Sequence, residues 1–84
     1  MLVLCDFERL GSAEAVYDYL AKEMAFPVWF GRNLDALHDC LTDVGAPTHL
    51  ILTGMAAPWA RAFLPTFQGA AKRNRNLSVE IHEG

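Results

Sequence analysis

Cysteine is scarce in this chain of 84 residues, and its N-terminus lacks the features of a secretion signal. The only cysteines are Cys5 and Cys40, and the opening stretch MLVLCDF has no basic segment and no small-residue cleavage site. Disulfides persist mainly in oxidising compartments, so two cysteines without a signal are weak grounds for one. We therefore expect a cytoplasmic protein with two buried, unpaired thiols.

The sequence also lacks long apolar runs and an excess of positive charge. No run approaches the roughly 20 apolar residues that span a bilayer, so we expect no membrane contact. Seven lysines and arginines stand against ten aspartates and glutamates, giving a net charge of −3. Domains that bind nucleic acids are typically basic, because their affinity depends on phosphate contacts. We therefore expect no direct binding to nucleic acid; a basic protein is the better-matched partner.

The residues that are abundant predict a compact fold. Apolar residues make up 52% of the chain and charged residues 20%, a balance that excludes intrinsic disorder. The length suits a single domain spanning residues 1–84. Hydrophobic periodicity and capping residues predict three strands and three helices. The strands are Leu2–Cys5, His49–Thr53 and Leu77–Ile81, and the helices cover about 12–24, 33–44 and 58–74.

The order of these elements predicts an α/β fold. The apolar runs LVLC and HLILT do not alternate with polar residues, which favours strands buried on both faces. LSVEI does alternate, as expected of a half-exposed strand at a sheet edge. The β-α-α-β-α-β order implies parallel pairing through right-handed crossovers. We expect a three-stranded parallel sheet with helices packed against it.

Capping residues and prolines predict the helix ends. Ser12 and Asn33 are good N-cap residues, and Gly45 stands in a favoured C-terminal position. Pro58 suits the first turn of the last helix. The apolar residues of that helix keep their helical phase beyond Pro65, which favours one helix with a kink at this proline.

The second helix carries an unusual acidic pattern. Asp35, Asp39 and Asp43 recur every four residues and share one face, where each neighbouring pair costs about 0.2–0.5 kcal/mol. Arg32 can offset Asp35, but no cation lies three or four positions from Asp39. A solvated polar face is the simplest interpretation. The alternative is a surface whose positive charges belong to a partner.

The loop before this helix presents three large apolar residues, Val28, Trp29 and Phe30. Three such residues beside a polar helix cannot all turn inward easily. A tryptophan at the edge of a charged patch has the composition of an interface anchor. The other interpretation of Trp29 is a core residue that covers the sheet edge, and the sequence leaves both open.

The segment FPVWFGRNLDALHDCLTDV, Phe26–Val44, resembles the barstar family, whose members are intracellular protein inhibitors of ribonucleases. The resemblance rests on an aromatic pair followed by glycine, the stretch Asn33–Leu37 and the stretch Asp39–Thr42. It implies the fold described above and a basic, secreted-type ribonuclease as the partner. It also implies no catalytic activity and no cofactor, and we expect a monomer when the protein is free.

The resemblance further implies roles for individual residues. Asp39 would take the place of a substrate phosphate among the arginines and catalytic histidine of the nuclease, with support from Asp35. Trp29 would pack on that histidine. The predicted partner-binding residues are Trp29, Phe30, Gly31, Asn33, Leu34, Asp35, His38, Asp39, Thr42 and Asp43.

Four positions depart from the family pattern. The family commonly has an aromatic residue at His38, a glycine and an aromatic at Asp43 and Val44, and a third inhibitory acid where Gly69 stands. These differences point to a different ribonuclease or to weakened binding. The alternative is a module of the same fold that now binds another class of protein.

An enzyme is the competing functional class. Asp35, His38 and Asp39 could form an acid–base or metal cluster, and Cys40 with His38 a nucleophile and base. Side chains two apart on a helix point in different directions, which separates His38 from Cys40. A metal site on one exposed helix lacks a closed geometry. We therefore expect neither catalysis nor a bound metal.

Overall fold

A computed structural model describes residues 1–82, which form a three-stranded parallel sheet and five helices. The strands lie in the order β1-β2-β3, so β2 is central. This confirms the predicted α/β class and sheet. The elements are β1 (Leu2–Asp6), α1 (Phe7–Leu10), α2 (Ala13–Glu23), α3 (Leu34–Thr42), β2 (Thr48–Thr53), α4 (Pro58–Arg61), α5 (Leu64–Arg73) and β3 (Leu77–Ile81).

Side-chain caps fix the starts of α2 and α3 where the sequence predicts them. The Ser12 hydroxyl accepts a hydrogen bond from the Ala15 N–H at 3.2 Å, and the Asn33 side-chain carbonyl accepts from the Ala36 N–H at 2.8 Å. The predicted role of Gly45 as the terminal residue of α3 is wrong. The helix ends at Thr42, and Asp43 is its C-cap.

The helices cover only one face of the sheet. Leu50 and Leu52 of β2 are fully buried on that face, whereas Leu2 and Leu4 of β1 are 61% and 58% exposed on the other. The prediction that β1 is buried on both faces is therefore wrong. It is also wrong for β2, in which the half-buried residues His49, Ile51 and Thr53 alternate with buried ones. The alternating exposure predicted for β3 is confirmed, and β3 is an edge strand.

The last predicted helix is two helices, so the prediction of one helix kinked at Pro65 is wrong. Helix α4 ends at Arg61 and α5 begins at Leu64, which places Pro65 in the first turn of α5. Proline is tolerated there because that position needs no intrahelical N–H donor. The predicted helical phase is kept across the junction between α4 and α5, since Phe63 and Phe67 both face the core.

An aromatic cluster joins the helices in the core. The ring of Phe7 lies 5.2 Å from that of Phe63 in an edge-to-face arrangement, and Tyr17 lies 5.3 Å from Phe63. The short helix α1 brings Phe7 into this cluster. Cys5 is buried beside it, and burial raises the pKa of its thiol to about 12. Both cysteines are unpaired.

Glu80 lies on the uncovered face of the sheet between two histidines. Its carboxylate contacts His82 Nε2 and lies 3.3 Å from His49 Nε2, and the hydrogen bonds to His82 and His49 lower its pKa. A lowered carboxylate pKa contributes stability above the unfolded pKa, and this is lost as pH falls through the folded value.

No helix within residues 1–82 is long and apolar enough to cross a membrane.

We expect the substitution His82→Gln to raise the pKa of Glu80 towards its ordinary value, because the largest cause of the shift is removed. The Glu80 side-chain carboxyl signal, followed by NMR from pH 2 to 7, measures this. His38→Gln is the control, since His38 lies on α3 and makes no contact with Glu80. An unchanged Glu80 pKa in His82→Gln would contradict the assignment.

Candidate functional site

Helix α3 and its C-cap present three aspartates to solvent on the side away from the core. Leu37 and Leu41 are fully buried and hold the opposite side of the helix against the core. Asp35, Asp39 and Asp43 are all exposed, and the Asp39 side chain is 84% exposed. We refer to these three residues as the acidic face.

Few positive charges offset the acidic face. Within residues 1–82, neither Asp35 nor Asp43 forms an ion pair, and Asp39 approaches only His38, at 3.8 Å between Oδ1 and Nδ1. The predicted pair between Arg32 and Asp35 is wrong. Arg32 instead binds Asp18 of α2 at 2.9 Å. The acidic face is therefore open to an external cation.

The loop between α2 and α3 carries the exposed apolar residues. We call residues 26–32 the aromatic loop. Val28 is fully exposed and Trp29 is 77% exposed, whereas Phe30 is 9% exposed and packs against Phe26 and Tyr17 at ring distances of 5.1 and 6.0 Å. The interpretation of Trp29 as a core residue is therefore wrong, and Phe30 is the residue that turns inward.

Several local contacts hold the aromatic loop in place. The Phe30 N–H donates to the Pro27 carbonyl at 2.9 Å, and the Phe26 N–H donates to the Ala21 carbonyl of α2 at 2.9 Å. Arg32 adopts a left-handed conformation with φ of 54° and carries the ion pair to Asp18. The loop therefore presents Trp29 from a well-supported backbone.

The predicted partner-binding residues divide into three groups by exposure. Leu34, His38 and Thr42 are half-buried, and Phe30 is buried. The exposed residues of the set are Trp29, Gly31, Asn33, Asp35, Asp39 and Asp43. Six of the ten predicted residues are thus exposed to solvent, on the aromatic loop or on α3 and its caps.

His38 lies on the side of α3 that faces α5. The Thr42 hydroxyl donates to the His38 carbonyl at 2.7 Å. A β-carbon added at Gly69 of α5 would lie 3.7 Å from His38 Nε2, so the imidazole and Gly69 are neighbours. An imidazole therefore stands beside the position where the family resemblance implies an acid.

The structure contains an apolar cavity that was not predicted from the sequence. It lies between the aromatic loop, α3 and the turn that leads to β2, and has a volume of about 580 Å³. Ala36 and Cys40 of α3 line it together with Asp39 and Asp43. The spacing of these four residues, at i, i+3, i+4 and i+7, is the signal that marks a common helix face.

Cys40 is half-buried at this cavity, so the prediction of a buried thiol is wrong for this residue. Burial, and then the charges of Asp43 and Asp39, raise the pKa of the Cys40 thiol. A raised pKa disfavours the nucleophilic thiolate. Among the residues that the structure describes, no group of three or more histidine, cysteine, aspartate or glutamate side chains could hold a metal ion.

Comparisons with known proteins point to one family. The family model described as Barstar (barnase inhibitor) matches residues 1–79. A Bacillus subtilis protein named "Putative ribonuclease inhibitor YrdF" is 48% identical over 48 residues, which cover 56% of this chain and 50% of that protein. The match thus spans about half the length of that relative. Because the family model matches nearly the whole length, the chain belongs to the barstar family.

Proposed function

We propose that this chain is a protein inhibitor of a basic, secreted-type ribonuclease, which it blocks by placing the acidic face and aromatic loop in the active-site cleft. The observation that carries the proposal is the acidic face, two exposed aspartates on α3 and a third at its C-cap, with no lysine or arginine paired to them in the described part of the chain. Family membership and the name of the Bacillus subtilis relative support the same function.

Asp39 is the central residue of the proposed contact. Its carboxylate stands midway along the acidic face, and the 3.8 Å separation from His38 is too long for a hydrogen bond. Both oxygens are therefore available to accept paired hydrogen bonds from an arginine guanidinium. A carboxylate in that arrangement takes the place of the substrate phosphate among the cations of the nuclease. Asp35, one turn earlier, adds negative charge beside it.

Trp29 supplies the apolar part of the contact. Its indole is 77% exposed in the free protein, so burial against a partner removes a large apolar surface from water. An indole face also attracts a cation or a protonated imidazole. Trp29 therefore packs on the catalytic histidine of the nuclease while Asp39 binds the neighbouring arginines.

Two other predicted residues, Asn33 and Phe30, preorganise this surface. Asn33 caps α3 and donates to the Gly31 carbonyl at 3.3 Å, which ties the loop to the helix. Phe30 anchors the loop in the core. Because these groups are already ordered, binding loses little conformational entropy. In this proposal Asn33 and Phe30 act mainly by positioning Trp29 and Asp39.

The test is inhibition and direct binding against a panel of basic ribonucleases, of the barnase type and of related bacterial types. We expect the parent chain to inhibit at least one of them and the substitution Asp39→Ala to weaken binding at least tenfold, since a desolvated cation of the nuclease loses its partner. Calorimetry and RNA-cleavage assays measure both. If none of the nucleases binds, or if Asp39→Ala binds as well as the parent, the proposal fails.

The same panel separates inhibition from a second function, that of an interaction module with another partner. Gly69, the neighbour of His38, favours this second candidate, because the family resemblance implies an acid at that position and none is present. An inhibitor that blocks the active site competes with a mononucleotide bound there. A complex that forms equally well in saturating mononucleotide would support the module instead.

A further inference from the structure

The apolar cavity beside the acidic face is large enough to receive part of a bound protein. Its volume of about 580 Å³ lies within the range of roughly 300–1,000 Å³ that is typical of ligand pockets. Met24, Phe26 and Trp29 line one side of it, and the turn containing Val44 and Ala46 lines another. The cavity is therefore continuous with the aromatic loop through Trp29.

Helix α3 forms one wall of the cavity and carries part of the acidic face into its lining. Ala36 and Cys40 contribute the apolar part of this wall. Asp39 and Asp43 lie on the same side of the helix and line the cavity as well, while remaining exposed. The cavity thus combines an apolar interior with two carboxylates at its rim.

The charged side chains at the rim have one sign. None of the described residues that line the cavity is a lysine, an arginine or a histidine. Met1 also lines the cavity, and its positively charged amino group donates to the Pro47 carbonyl at 2.8 Å. Two carboxylates against this one cation leave the lining with a net negative charge. Two rim carboxylates therefore favour an occupant that carries positive charge next to an apolar group.

We propose that this cavity receives a short segment of the bound nuclease, an apolar side chain flanked by arginine or lysine. This inference rests on the proposed function and assigns the cavity to the same interface. The apolar side chain fills the space beside Ala36 and Cys40, and the flanking cations pair with Asp39 and Asp43. By binding one of these cations at the cavity rim, Asp43 thereby helps to determine which nuclease is bound.

A capped tripeptide tests the recognition chemistry without any nuclease. The probe is acetyl-Arg-Leu-Arg-amide, and the controls are acetyl-Arg-Ser-Arg-amide and acetyl-Glu-Leu-Glu-amide. We expect NMR titration of the parent chain to show shifts at Val44 and Ala46, with at least fivefold tighter binding of the probe than of either control. Equal binding of the serine peptide would overturn the apolar part of the proposal.

Two substitutions test the cavity in the protein itself. Ala46→Phe fills it from an exposed position, and we expect at least tenfold weaker binding of the probe and of any nuclease bound by the parent. Ala56→Phe is the matched control, because Ala56 is equally an exposed alanine and lies away from the cavity. Asp43→Asn, which leaves the apolar interior intact, should weaken the arginine probe at least threefold.

The outcomes distinguish this inference from the proposed function. If a nuclease binds and Asp39→Ala weakens it while Ala46→Phe does not, the cavity proposal is overturned and the inhibitor proposal stands. If no nuclease binds, the inhibitor proposal fails, and the peptide titration still decides whether the cavity recognises an apolar side chain between cations. Probe binding that Ala46→Phe leaves unchanged overturns the cavity proposal in either case.

Discussion

The charge-reversing substitution Asp39→Lys is expected to weaken binding to an inhibited ribonuclease at least a thousandfold, or by about 4 kcal/mol. The substitution removes the carboxylate that the nuclease cations bind and places a like charge among them. Like charges brought together across an interface cost several kcal/mol. Because the Asp39 side chain is 84% exposed and makes no hydrogen bond, the free energy of unfolding should change little.

Glu14→Lys is the matched control for this experiment. Glu14 is exposed in the first turn of α2 and has no ion-pair partner among the described residues, so its reversal changes the net charge by the same amount. We expect it to slow association slightly through weaker long-range steering and to leave dissociation unchanged. Similar losses from Asp39→Lys and Glu14→Lys would mean that net charge, and not a local contact, governs binding.

Association of the parent should also slow as salt is added, because the Debye length shortens from about 30 Å at 0.01 M to about 8 Å at 0.15 M. Surface plasmon resonance at several ionic strengths measures this. The slowing should be smaller in Asp39→Lys than in the parent if the acidic face provides the attraction.

The substitution Asn74→Ala is expected to lower the free energy of unfolding by about 2–4 kcal/mol. Asn74 is 7% exposed, and its side-chain N–H groups donate to the carbonyls of Leu41 and Val44 at 3.0 and 2.9 Å. Its side-chain carbonyl accepts from the Asn76 N–H at 2.9 Å. Alanine removes both donors from the C-terminal end of α3 and leaves the Asn76 N–H without this acceptor. The Leu41 and Val44 carbonyls then keep only the longer hydrogen bonds from the Val44 N–H and the Asn76 side chain, at 3.3 and 3.4 Å. Removal of a single buried partner costs about 1–3 kcal/mol.

Asn76→Ala is the matched control, because the Asn76 side chain makes one longer hydrogen bond of 3.4 Å to the Val44 carbonyl. We expect a loss below about 1 kcal/mol for this variant. Urea unfolding followed by circular dichroism measures both. If Asn74→Ala and Asn76→Ala destabilise the protein equally, the Asn74 side chain is not the connection that holds the end of α3.

The sequence predicted the elements whose signals are local. Ser12 and Asn33 marked two helix starts correctly, because an N-cap acts on a backbone N–H only three residues away. The missed helix α1 had comparable signals. Asp6 accepts from the Arg9 N–H at 3.2 Å, and Gly11 ends the helix with φ of 82°. Its four residues were too few to show a hydrophobic period.

Features that depend on distant segments were not predicted. Leu2 and Leu4 look like core residues, but their exposure depends on all the helices packing against the other face of the sheet. Arg32 pairs with Asp18 because the loop folds back on α2, although Asp35 is closer in sequence. The end of α3 likewise depends on Asn74, some thirty residues later.

In the candidate site, too, the feature with a local signal was predicted and the feature that depends on distant segments was not. The exposure of the acidic face followed from its spacing on one helix, opposite the buried Leu37 and Leu41. The apolar cavity could not be predicted, because its walls come from three separate segments. The partner-binding roles of the ten predicted residues remain predictions.

The parallel sheet sets an order of events during synthesis of the chain. Leu2 of β1 pairs with His49 of β2, which lies 47 positions later, and β2 then pairs with β3. At about 5–20 residues per second, the ribosome needs roughly 2 to 10 seconds to add the residues between these two strands. During that interval Leu2 and Leu4 have no strand to pair with. All residues of α3 are synthesised before β2, and therefore before any pair of strands can form.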